Sequence, residues 1–177
     1  MKTYIALLRG INVGGHKKVP MAELRGLLTK FGLENVQTYI QSGNVIFQSS
    51  SNDSATLENN IQKSILDHFE FEVPVLVRTR DELSTIFNNC PFPEEKKVES
   101  YFIMLNEAPE KELIDEISQQ IFPNEEFVTT NESVYIFYSL GAGKAKLGVN
   151  WFEKKLKVKA TARNYRTMVK LLAMSEE

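Results

Sequence analysis

An α+β protein built from two copies of one βαββαβ unit, packed into a single compact chain, is what this sequence predicts. Three observations carry that expectation. Short β-like apolar runs alternate with stretches whose apolar residues recur at helical spacing. The order of those elements recurs at about half the chain length. The composition is that of a globular protein, with 177 residues, 42% hydrophobic and 25% charged. Extensive disorder, collagen and a disulfide scaffold are thereby excluded.

The first unit reads as follows. Thr3–Arg9 is apolar, bounded by Gly10, and forms a strand. Pro20–Phe31 is a helix with Met21, Leu24, Leu27, Leu28 and Phe31 on one face, opened by Pro20 and stopped by Gly32. Val36–Gln41 and Val45–Gln48 are strands joined around Ser42-Gly43-Asn44. Ser54–Phe69 is a helix with Leu57, Ile61, Ile65 and Phe69 inward and Asp53 or Ser54 as its cap. Pro74–Arg78 is a strand, and Asp81–Asn88 a short helix.

The order then repeats. Glu99–Leu105 is a strand, and Glu110–Ile121 a helix with Leu113, Ile114, Ile117 and Ile121 inward. Phe127–Thr130 and Val134–Tyr138 form a second hairpin. Gly148–Leu156 is a helix, Lys157–Thr161 a strand and Arg163–Met174 the last helix. VIFQS at 45–49 matches YIFYS at 135–139. The expected architecture is a duplicated ferredoxin-like fold, with units at 1–92 and 93–177. Tyr4–Leu8 and Tyr101–Leu105 are apolar on both alternating sets, so both faces of each sheet should be covered. That argues against an RNA-recognition motif, which displays an open aromatic face.

Charge is uneven. Residues 1–30 carry six Lys/Arg and one acid, residues 31–140 six bases and nineteen acids, and residues 141–177 nine bases and three acids. Two basic ends on an acidic protein would form an anion-attracting patch if they met. One cysteine, Cys90, permits no intrachain disulfide. With only His16 and His68 beside it, no metal site is expected, nor any cofactor. No apolar run approaches the length that spans a membrane, and the N-terminus lacks a signal-peptide cleavage site. The expected setting is the cytoplasm.

Comparing the repeats isolates a candidate site. The second repeat passes from strand to helix through Asn106–Pro109, whereas the first uses Gly10–Val19. A connection longer than the fold requires points to function. Its glycines allow close backbone approach, and Arg9, His16, Lys17 and Lys18 add positive charge. The combination suits phosphate or carboxylate. It is not a Walker A loop, because His16 follows Gly15 and no hydroxyl follows Lys17. Gly141-Ala142-Gly143-Lys144 likewise fails the dinucleotide pattern. The first two strands run parallel in such a unit, so the Gln41–Asn44 turn should lie beside this loop. The third element is Thr161–Thr167, where Arg163 and Arg166 are expected in the first turn of a helix whose dipole opposes them. Such a placement asks for a compensating anion, either a ligand phosphate or an acidic side chain from the middle segment. In the ligand case removing both arginines should cost no stability, and in the ion-pair case it should destabilise the protein.

ALLRGINVGG at 6–15, VPMAEL at 19–24, TYIQSGNVIF at 38–47 and TARNYRT at 161–167 resemble a bacterial family of proteins of unknown function, domain-of-unknown-function family 1697. The resemblance implies a two-unit ferredoxin-like fold and a bacterial cytosolic setting. It implies no activity. It marks Arg9, Asn12, Gly14, Gly15, Ser42, Asn44, Arg163, Asn164 and Arg166 as signature positions, to which the charge of Lys17 adds. Tyr165 stands where the family is associated with Trp.

The expected function is binding of a phosphate-bearing ligand, a nucleotide or RNA, by these residues. One alternative is an enzyme acting on a small anionic substrate, with His16 the titratable group near the site. Cys90 is the other potential nucleophile, remote from His16 in sequence. The second alternative is a protein-interaction module or homo-oligomer that uses uncovered strand faces.

Overall fold

The computed structural model describes residues 1–176 and divides the chain into two compact units. Unit 1 comprises Met1–Leu83 with the segment from Leu171 onward, and unit 2 comprises Ser84–Lys170. The first βαββαβ plan runs through Lys2–Leu8 (β1), Met21–Lys30 (α1), Glu34–Tyr39 (β2), Asn44–Ser49 (β3), Ser54–Phe69 (α2) and Val75–Thr79 (β4). Two short helices follow, Arg80–Asn88 (α3) and Glu94–Lys97 (α4), and only the first of them is signalled by the sequence. The second plan runs through Ser100–Leu105 (β5), Lys111–Ser118 (α5), Glu125–Thr129 (β6), Ser133–Tyr138 (β7), Val149–Leu156 (α6) and Ala160–Asn164 (β8), and Tyr165–Met174 (α7) closes the chain.

Each plan forms one antiparallel sheet, in the orders β2-β3-β1-β4 and β6-β7-β5-β8. The fold is a duplicated ferredoxin-like α+β arrangement. Strand register aligns the copies residue by residue. Leu7 pairs with Asn44 as Met104 pairs with Ser133, so Asn44–Ser49 is equivalent to Ser133–Tyr138. That is one residue away from the alignment of VIFQS with YIFYS. By the same rule Arg78, opposite Ile5, is equivalent to Arg163, opposite Phe102.

In unit 1, Tyr4, Ala6 and Leu8 of β1 pack with Leu24 and Leu28 of α1 and Leu57, Ile61 and Ile65 of α2. Asp53 caps α2 by accepting from the Ala55 N–H at 3.1 Å. In unit 2, Ile103 and Leu105 pack with Ile117, Phe152 and Leu156. The alternate residues Ile5, Leu7, Phe102 and Met104 are buried as well. Both faces of each central strand are therefore out of water, which is why neither strand alternates.

Several boundaries differ from the sequence expectation. The units divide at 83/84 rather than 92/93. The second half of α3 belongs to unit 2, because Tyr135 donates to the Ile86 carbonyl at 2.7 Å and the Phe87 ring stacks on Phe102. α5 ends at Ser118, and Ile121, expected inward, is 92% exposed while Phe122 packs on the core. β8 begins at Ala160 rather than Lys157. Lys157 closes α6 at a φ of 56°, so the chain must turn before pairing starts. Asn164 then accepts from the Thr167 N–H at 2.9 Å, which caps α7 and delays its start to Tyr165. The buried side of α7 is Thr167, Met168 and Leu171, and Val169 faces water.

Candidate functional site

The loop after β1 is a shaped hairpin. Val13 and His16 pair across Gly14-Gly15, with the His16 N–H donating to the Val13 carbonyl at 3.0 Å. Gly14 and Gly15 have φ of 58° and 76°. A two-residue turn with both central φ positive is where glycine fits at no steric cost. The N–H groups of the two glycines carry no hydrogen bond among the described residues. Gly14, Gly15, His16, Lys17 and Lys18 are all exposed.

Asn12 latches this hairpin down. Its side-chain amide donates to the Gln41 carbonyl at 2.7 Å and to the Val19 carbonyl at 3.0 Å, and its Oδ1 accepts from the Val19 N–H at 2.8 Å. Its main-chain N–H meets the Lys17 carbonyl at 3.0 Å. Asn12 sits at a φ of 55°, a conformation Asn tolerates better than most residues. Below it, Ile11 is buried in the core of unit 1. The sequence reading puts Asn12 against a ligand. Its amide is instead engaged by main chain on three sides, so it shapes the loop.

The 41–44 turn lies beside the hairpin, as the strand directions require. Gly43, at a φ of 92°, accepts the Leu8 N–H at 2.8 Å, and a Cβ there would stand 2.7 Å from Leu8 Cβ and 2.8 Å from Ile11 Cδ1. Asn44, another expected ligand residue, is fully buried and donates to the Tyr39 carbonyl at 2.9 Å and to Ser42 Oγ at 3.2 Å. It braces the turn from beneath, and Ser42 remains exposed above. Lys17 reaches across to the Glu72 carbonyl at 2.8 Å, which engages its ammonium without neutralising it. Arg9 is half-buried, its N–H on the Pro74 carbonyl at 3.0 Å.

Two residues that no sequence signal marks also belong here. Val13 is 66% exposed and Ile40 48% exposed. They are the chain neighbours of Asn12 and Gln41, which the 2.7 Å bond joins. Ile40 has a φ of 48°, which is strained for a β-branched side chain. Strain of that kind collects at functional positions.

The arginines of β8 and α7 behave differently from expectation. Arg163 is not in the first turn of a helix but within β8, 8% exposed. Its Nη1 donates to the Ala162 carbonyl at 2.8 Å and to Thr161 Oγ1 at 3.2 Å, and burial lowers its pKa to about 10. Arg78, its equivalent in unit 1, donates to the Val77 carbonyl at the same 2.8 Å and pairs with Glu58 at 3.5 Å. The repeated bond identifies a feature of the duplicated strand, and a buried guanidinium does not present itself to a ligand. Asn164 is the cap of α7. Asn164 and Arg166 are exposed, unlike Arg163. Burial pushes the Cys90 thiol up, opposite to what a nucleophile needs. Among the described residues, no three His, Cys, Asp or Glu side chains gather as a metal site, and no helix is long and apolar enough to cross a membrane.

The model of the family described as "Protein of unknown function (DUF1697)" matches residues 1–135. The chain belongs to this DUF1697 family. The match contains the hairpin, the 41–44 turn and β1–β7 up to Tyr135, and ends before the TARNYRT segment. A solved structure of a conserved bacterial protein from Streptococcus pneumoniae is similar over 99% of both chains, at 26% identity and a TM-score of 0.78. No curated protein matches this DUF1697 chain.

Proposed function

We propose that the chain binds a phosphate-bearing ligand along the Gly10–Lys18 hairpin and the adjoining Gln41–Ser42 corner, and that single-stranded RNA is the form of that ligand. The observation that carries the reading is the latched hairpin. Asn12 holds an exposed tip with two unbonded glycine N–H groups beside His16, Lys17 and Lys18. Pre-ordering the loop lowers the cost of binding. Free N–H groups and nearby cations are what phosphate oxygens take up.

Exposure favours a polymer over a free nucleotide. A small molecule needs a concavity that buries most of its surface. A backbone can lie across a protruding tip and meet several cations in succession. Val13 and Ile40 supply apolar area for bases next to the cations. The reading keeps Gly14, Gly15, Lys17, Ser42 and Arg9 as ligand residues, and gives Asn12 and Asn44 the task of holding them. A bacterial cytoplasmic setting is part of the same proposal. It draws on the bacterial relative and on a lone cysteine that forms no intrachain disulfide.

The experiment is titration of labelled single-stranded RNA at rising salt with the parent and with Lys17→Gln/Lys18→Gln. Each phosphate that the variant no longer neutralises makes the slope of log K against log salt shallower by about 0.7. Binding at low salt, steeply weakened by salt and with a shallower slope in the variant, supports the proposal. No binding at low salt, or an unchanged slope, removes it.

A further inference from the structure

A second site lies elsewhere in unit 1. We propose that the cavity at the β4–α3 junction binds a small carboxylate-bearing molecule, and that Glu176 occupies its anchor point in the free protein. The cavity has a volume of about 730 Å³, within the range of small-molecule sites. Its walls come from the start of β1, the β4–α3 junction and the segment after α7.

Arg80 is the anchor. Its Nη2 donates to Glu176 Oε1 at 3.1 Å, while its Nε is buried and has no hydrogen-bond partner. The Nε–H and one Nη–H of a guanidinium form a parallel fork that a carboxylate fills with both oxygens. Glu176 engages one prong. A buried donor without a partner carries a desolvation cost that a two-pronged ligand removes. The Glu176 side chain is 69% exposed, so its pair with Arg80 is weak and exchangeable.

The start of α3 is not the attraction, because it is already satisfied. The Thr79 N–H donates to Glu82 Oε2 at 2.8 Å and the Glu82 N–H to Thr79 Oγ1 at 3.2 Å, a reciprocal cap. Charge points the same way. With Glu176 displaced, the side chains of Lys2 and Arg80 outnumber that of Asp81, a positive balance that suits a carboxylate. A neighbouring cavity of about 510 Å³ shares Thr3 and Glu176 as walls and adds the amides of Asn35, Gln37 and Gln48. It offers neutral donors and acceptors for the remainder of the molecule.

The test uses N-acetylglycine as probe, at constant ionic strength, with the Arg80 Nε–H resonance as readout and Arg80→Lys to assign it. In the parent this resonance should shift saturably. Glu176→Gln, which removes the internal occupant, should bind about two- to fivefold tighter, the worth of an exposed pair. Arg80→Lys keeps the charge and loses the fork, so its affinity, read from the backbone amides of Thr79 and Asp81, should fall at least tenfold. The proposal is overturned by no saturable shift in parent and Glu176→Gln alike, by equal affinity in those two, or by undiminished binding in Arg80→Lys. A parallel titration with inorganic phosphate checks the ligand class: affinity equal to the probe's would overturn the carboxylate assignment.

Discussion

Replacing Asn12 with alanine separates a residue that holds the hairpin from one that holds a ligand. The substitution removes three side-chain hydrogen bonds, two of them to Val19. Val19 is fully buried, so its N–H and carbonyl find no water in exchange. Each buried group left unsatisfied costs about 1–3 kcal/mol. The Gln41 carbonyl is solvent-facing and recovers most of its loss. Alanine also costs about 1 kcal/mol at the φ of 55° that asparagine accepts. Allowing for relaxation of the loop, the expected loss is about 2–4 kcal/mol. Urea denaturation measures the part felt by the whole unit. Hydrogen exchange at the Val19 amide measures local opening, which should accelerate roughly 30- to 1,000-fold. Asn12→Asp keeps the acceptor for the Val19 N–H and should lie between. A loss under about 0.5 kcal/mol, with Val19 exchange unchanged, would refute the latch and return Asn12 to the ligand side.

Gly43→Ala should destabilise unit 1 by about 2–4 kcal/mol, from positive φ and from the 2.7 Å approach to Leu8 Cβ, read by thermal or urea melts; a neutral result would show the turn can shift. Arg163→Gln should cost about 2–4 kcal/mol because it disrupts a buried, hydrogen-bonded guanidinium, whereas Arg166→Gln should stay within about 0.5 kcal/mol, and equal effects in denaturant melts would contradict their different burial. The Tyr138 hydroxyl, buried against the Leu147 carbonyl, has its pKa pushed up to about 12. Between pH 10 and 12 the unfolded chain releases this proton and the folded chain keeps it, so stability falls with rising pH by roughly 1–2 kcal/mol after discounting for partial exposure. Tyr138→Phe should flatten that part of the pH–stability curve, and an unchanged slope would exclude Tyr138 as its source.

The sequence by itself determined the order of elements within both βαββαβ plans, the duplication and the position of α2, because these rest on local periodicity and local caps such as Asp53. The short α4 left no such signal. It also determined that the loop after β1 exceeds what its repeat partner needs, and that the 41–44 turn meets it, because strand direction follows from the plan. Tertiary structure decided what each polar residue of that region does. Asn12 and Asn44 carry side chains that suit either a ligand or a main-chain brace, and only the neighbouring carbonyls of Gln41, Val19 and Tyr39 make them braces. Arg163 reads as helical because the local spacing Arg163–Arg166–Lys170 fits a helix face. Pairing with Phe102 of β5 draws it into the sheet, and a pairing between residues this far apart in the chain leaves no local trace. The positive φ of Ile40 and the unpartnered Nε of Arg80 are likewise products of packing. A side chain's chemistry is written in the sequence, but whether its hydrogen-bonding groups are already engaged depends on which distant main-chain atoms the fold brings within about 3 Å.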